Sequence, residues 1–89
     1  MVRAGGGTLT RLPYAVQLES GVPLDSLRTV LNRFAALGVA AYAMRQGTAD
    51  SHNVYAGAFV EPREARALLA ELQAAAIPAA LVVRTGRPI

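Results

Sequence analysis

Glu19 and Asp50 are the two carboxylates that could be imagined as an acid–base pair of the kind that cleaves a glycosidic bond. Nothing in their spacing brings them into one cleft, so both read as surface acids. His52 is the only histidine. With no cysteine and no second ligand type clustered beside it, a metal site does not follow. The residues thus supply no catalytic group, no metal ligand and no cofactor site. Recognition is better served. Gln17 and Tyr55 lie mid-way along two strand-like runs, and they offer a hydrogen-bonding amide and a flat ring, the makings of a binding surface.

Whether those two side chains can meet depends on an internal repeat. Val54 lies 38 positions after Val16, and at the same offset Leu27, Val30, Leu31 and Phe34 fall on Ala65, Leu68, Leu69 and Leu72. Val39-Ala40-Ala41 likewise falls on Ile77-Pro78-Ala79. The unit written twice is strand, helix, strand. In the first copy, Tyr14 to Glu19 alternates as a strand, with Tyr14, Val16 and Leu18 on one side and Ala15, Gln17 and Glu19 on the other. Ser20-Gly21-Val22-Pro23 is turn chemistry. Leu24, Leu27, Val30, Leu31, Phe34 and Leu37 then form one helical stripe, ended by Gly38. Val39 to Gln46 and His52 to Ala58 read as strands two and three. Pro62 opens a second helix with acids facing the positive end of its dipole, and Ala79 to Arg84 is the last strand.

This order predicts an α+β fold of the ferredoxin-like split βαβ type: a four-stranded antiparallel sheet in order 4-1-3-2 with two helices on one face. Two helices with one apolar stripe each cover only one side of such a sheet. Val16, Leu18, Val54 and Ala56 should lie beneath them. By alternation Gln17 and Tyr55 then take the centre of the open face, flanked by Tyr42, Met44 and Val82. Ala76, one repeat after Gly38, is expected to hold a left-handed backbone.

At 89 residues the chain is one domain whose core is made shallow by alanine. Residues 1–12, with Gly5-Gly6-Gly7, read as a flexible leader or linker, 13–85 as the domain and 86–89 as a frayed carboxyl end. The net charge of +3 comes from nine arginines and no lysine. They are scattered, which favours a solvated surface over a nucleic-acid stripe. No run is long and apolar enough for a membrane span, and the amino end lacks the apolar core of a secretion signal. Either the chain stays inside the cell, or it is a domain of a longer exported or membrane-anchored protein.

Four segments together resemble the SPOR domain, the sporulation-related repeat of bacterial cell-division and cell-wall proteins. They are Tyr14-Ala15-Val16-Gln17-Leu18, Asn53-Val54-Tyr55-Ala56-Gly57-Ala58-Phe59, Arg63-Glu64-Ala65, and Ala74-Ala75-Ala76-Ile77-Pro78-Ala79. The resemblance runs from Tyr14 to about Arg84. It implies a noncatalytic module that binds peptidoglycan, favouring glycan strands denuded of stem peptides, in the periplasm or septal cell envelope. It also implies that Gln17 and Ser20 are polar binding residues of the first strand and the loop after it. Tyr55, Tyr42 and Met44 complete the candidate ligand-binding set, although Tyr55 could equally cap a bare sheet, and Tyr42 and Met44 are more often packing residues. The chain departs from the family pattern at Glu19-Ser20-Gly21, at Ser51-His52 and at Ala76, where glycine is usual.

Other functions on this sandwich have specific requirements. RNA recognition needs a basic-aromatic third strand, and here only Tyr55 faces outward and no lysine exists. An acylphosphatase-like enzyme needs a phosphate-cradling loop with arginine after the first strand, which Ser20-Gly21-Val22 does not supply. A small-molecule regulatory domain, or an oligomerisation domain that self-associates through the open sheet face, is the alternative reading.

Overall fold

The computed structural model describes residues 12–88, so the expected leader lies outside the described residues except for Leu12. The elements follow in the order β1 (Tyr14–Val22), α1 (Leu24–Ala36), β2 (Ala41–Arg45), β3 (His52–Phe59), α2 (Pro62–Ala74), β4 (Ala80–Val83) and β5 (Arg87–Pro88). The sheet is antiparallel in order β4-β1-β3-β2-β5. Its four main strands have the split βαβ arrangement, with β1 and β3 central. The short β5 is an addition: Arg87 and Pro88 pair with Arg45 and Met44 of β2, where the sequence suggests a frayed end.

The apolar core lies between the sheet and the helices. Val16, Leu18, Val22, Val54 and Ala56 from the central strands meet Leu27 and Phe34 of α1, Leu72 of α2 and Ile77 beyond it. Val30, Leu31, Leu68 and Leu69 pack around that cluster half-buried. Spacings of three and four put these residues on one stripe of each helix. The ends of the α1 stripe do not follow. Leu24 and Leu37 are each 59% exposed, because they sit at the helix termini beyond the edge of the sheet contact.

Both helices end in the same way. After α1 the Gly38 amide donates to the Ala35 carbonyl at 3.0 Å and the Val39 amide to Phe34 at 2.9 Å. After α2 the Ala76 amide donates to Gln73 at 3.0 Å and the Ile77 amide to Leu72 at 2.9 Å. This paired bonding is the Schellman ending, which requires a left-handed residue at its turning point. Gly38 has φ 80° and Ala76 has φ 61°, as the repeat predicts.

Three irregularities in the β1–β3 pairing matter for the open face. Tyr14 pairs with Phe59 but Val16 with Ala56, so β3 carries an extra residue at Gly57-Ala58. Gln17 pairs with Tyr55 but Glu19 with Val54, so β1 carries its own extra residue at Leu18. A third shift, between Glu19 and Val22, absorbs Ser20-Gly21 as a bulge and carries β1 on to Val22. Simple alternation therefore fails for Glu19. The bulge turns it to the helix side, where its carboxylate accepts from Arg33 of α1 at 2.8 Å.

Candidate binding face

The face opposite the helices is ordered by strand register. Ala80 of β4 pairs with Gln17 of β1, Gln17 with Tyr55 of β3, and Tyr55 with Tyr42 of β2. These four residues form one row across the sheet. Ala15 and Val82 pair on one side of that row, Asn53 and Met44 on the other. The structure thus brings Gln17, Tyr55, Tyr42 and Met44 together on one face. Ser20 is exposed in the bulge at the far end of β1.

The face is not bare. Tyr55 is 1% exposed and Met44 2%, and with Ala15 they form a second apolar cluster against Tyr42 and Val82. After β4 the chain crosses this face to reach β2. Thr85 is its anchor. The Thr85 hydroxyl donates to Gln46 Oε1 at 2.7 Å, and Gln46 Nε2 donates to the Thr85 carbonyl at 2.9 Å. The Tyr55 hydroxyl lies 3.5 Å from the same carbonyl. The expectation of an open Tyr55 ring is corrected by this crossing. Its apolar body is covered, and the tilted Tyr42 ring, with centroids 5.9 Å apart, fills the space beside it. Gln17 and Tyr42 remain half-buried and accessible.

Tyr42 is held from two sides. Its hydroxyl donates to the Gly57 carbonyl at 2.6 Å and accepts from Arg84 Nη1 at 3.1 Å. Burial raises its pKa above the ordinary tyrosine value, against the opposing hydrogen bond and positive charge of Arg84. Asn53 links the row to the β1 bulge. Its Nδ2 donates to the Tyr55 hydroxyl at 3.3 Å, and its Oδ1 accepts from the Gly21 amide at 3.4 Å.

The remaining polar residues of the sequence reading have structural partners. Asp50 Oδ1 accepts from the Leu24 amide at 2.8 Å, so it caps α1 from a distant loop. Glu19 is engaged by Arg33. His52 is buried, and its Nδ1 donates to the Val22 carbonyl at 2.9 Å, which ties the end of β1 to the start of β3. No group of three metal-ligating side chains occurs among the described residues. No helix among them is long and apolar enough to cross a membrane. Sequence alone marks neither Asn53 nor Arg84 as a site residue. Alternation places both on this face, Asn53 two residues before Tyr55 and Arg84 two after Val82, but it does not show the bond that Arg84 makes to Tyr42 across the sheet.

The family model of the SPOR domain matches residues 13–84, and the chain belongs to that family. SPOR domains are, as a family, noncatalytic modules that bind peptidoglycan and occur in cell-division proteins of the periplasm and septum. Comparison with curated proteins and with solved structures returns no match.

Proposed function

We propose that this domain binds the glycan strand of peptidoglycan without cleaving it, on the sheet face opposite the helices, as a module of a bacterial cell-division or cell-wall protein working in the cell envelope. The observation that carries this reading is the register row, which sets the Gln17 amide beside the Tyr42 and Tyr55 rings on a rigid sheet. A scaffolded amide can bond sugar hydroxyl or acetamido groups while a ring edge packs against the pyranose. Gln17 and Ser20 make the polar contacts, and Tyr42 supplies the accessible aromatic surface. Tyr55 and Met44 form the floor that holds Tyr42 in place.

The test is co-sedimentation with sacculi, denuded of stem peptides or intact, for wild type, Gln17→Ala, Ser20→Ala and Tyr42→Ala, beside melting curves. Gln17→Ala should weaken binding to denuded sacculi by about 1–2 kcal/mol, the scale of a lost hydrogen bond, with little change in melting. Equal retention of all four proteins, or binding abolished by moderate salt, would show nonspecific attraction through arginine instead. Wild type that sediments with neither material and elutes as a dimer would favour self-association through this face.

A further inference from the structure

Arg84 leaves β4 with its amide donated to the Pro13 carbonyl at 2.8 Å, and its side chain turns back over the sheet. The guanidinium donates to the Tyr42 hydroxyl and to the Leu12 carbonyl, with Cζ 5.9 Å from the centre of the Tyr42 ring. These partners are neutral. Arg84 Nε is covered and has no hydrogen-bond partner among the described residues. A guanidinium has five N–H donors, so each Nη still carries an unused hydrogen.

No acidic side chain among the described residues pairs with it. The chain has six acids. Glu19 is on the helix side with Arg33, Glu61 pairs with Arg63, and Asp50 caps α1. Asp25 and Glu64 are in the first turns of α1 and α2, and Glu71 is in α2. Among the described residues, the sheet face that carries Gln17 therefore holds a half-buried cation and no acidic side chain. A partly desolvated charge is unfavourable unless it is compensated, and the match for a planar guanidinium is a carboxylate or phosphate.

We propose that Arg84 receives a carboxylate of the ligand, and that this group is the lactyl carboxylate of muramic acid freed when the stem peptide is removed. The proposal rests on the glycan reading above and deepens it. In the intact polymer the lactyl carbonyl is an amide, which has one acceptor oxygen and no charge. Cutting that amide leaves a carboxylate with two charged oxygens. A guanidinium on this sheet face distinguishes the two states by charge, and Gln17 and Tyr42 hold the sugar on which that charge is carried. Arg84 is then the specificity-determining residue of the face, held there by its amide bond to Pro13 and its side-chain bond to Tyr42.

The measurement is calorimetric titration with soluble denuded glycan fragments, used as the free acid and with the lactyl carboxyl converted to its methyl amide. Wild type should bind the free acid about 10-fold or more tighter than the methyl amide, the usual effect of one charge-assisted contact. Arg84→Gln should bind both forms alike, at the strength wild type shows for the amide. Arg84→Lys should recover part of the difference, because lysine restores the charge without the fork. Equal binding of acid and amide by wild type overturns the role of Arg84 while leaving the glycan reading standing, and this comparison needs no variant to fold. Failure of wild type to bind either form removes the glycan reading, and the proposal falls with it.

Discussion

Gly38 and Ala76 occupy equivalent turning points of two matching helix endings, 38 positions apart, and both have a left-handed backbone. Only one of them is glycine. Alanine in that conformation brings its Cβ against the backbone, a cost glycine avoids. Ala76→Gly should therefore raise stability by up to about 1 kcal/mol in urea unfolding, and Gly38→Ala should lower it by a similar amount. A less stable Ala76→Gly protein would mean that unfolded-chain entropy outweighs the strain.

Gly57 is needed for a different reason. Its φ of 73° sets the bulge that separates Ala56 from Phe59, and a Cβ there would lie 2.5 Å from the Phe59 ring and 2.9 Å from a Leu68 methyl. Gly57→Ala should destabilise by about 1–3 kcal/mol through backbone strain alone. Because the Gly57 carbonyl anchors the Tyr42 hydroxyl, the substitution should also weaken glycan binding more than it lowers the melting temperature at equal occupancy of the folded state. Unchanged stability would show that the bulge adapts to a side chain.

Tyr42 makes the domain sensitive to alkali. Its phenol keeps its proton in the folded state above the ordinary value of 10.0, chiefly because it is buried, whereas the unfolded chain releases it near that value. Above that pH the unfolded state binds fewer protons, so stability falls as pH rises; below it the contribution is fully present. Stability measured by denaturant unfolding across the alkaline range should decline less steeply in Tyr42→Phe than in wild type. Parallel curves would place the alkaline loss elsewhere.

Asp50 links the β2–β3 loop to the first turn of α1. Asp50→Ala should cost about 1 kcal/mol of stability, the usual worth of an N-terminal cap, and leave glycan binding intact. A loss of binding without a loss of stability would give this carboxylate a place in the site.

The fold was legible because its signal is periodic. Stripes such as Leu27-Val30-Leu31-Phe34 recur one repeat later, and the split βαβ unit buries them in only one way. The pairing of Gln17 with Tyr55 follows from the same symmetry. Period-two reasoning reaches Tyr42 and Met44 as well, which share the face as expected. It fails where the period itself breaks. The bulge at Leu18 sends Glu19 to the opposite side, and no residue type in Leu18-Glu19-Ser20 announces it. The covering of Tyr55 was equally hidden, because it depends on the Thr85–Gln46 contact between residues 39 apart, outside the repeat. Arg84 ends the last strand and shares the face by alternation, but its bond to Tyr42, 42 residues away, is a tertiary fact with no local signature.

Backbone chemical-shift mapping with denuded glycan fragments tests most directly whether ligand meets the sheet face opposite the helices. The largest changes should fall on Gln17, Ser20, Tyr42, Ala80 and Arg84, with the exposed positions of α1 and α2 nearly unmoved. Changes centred on the helices, or a uniform pattern that vanishes in moderate salt, would contradict it.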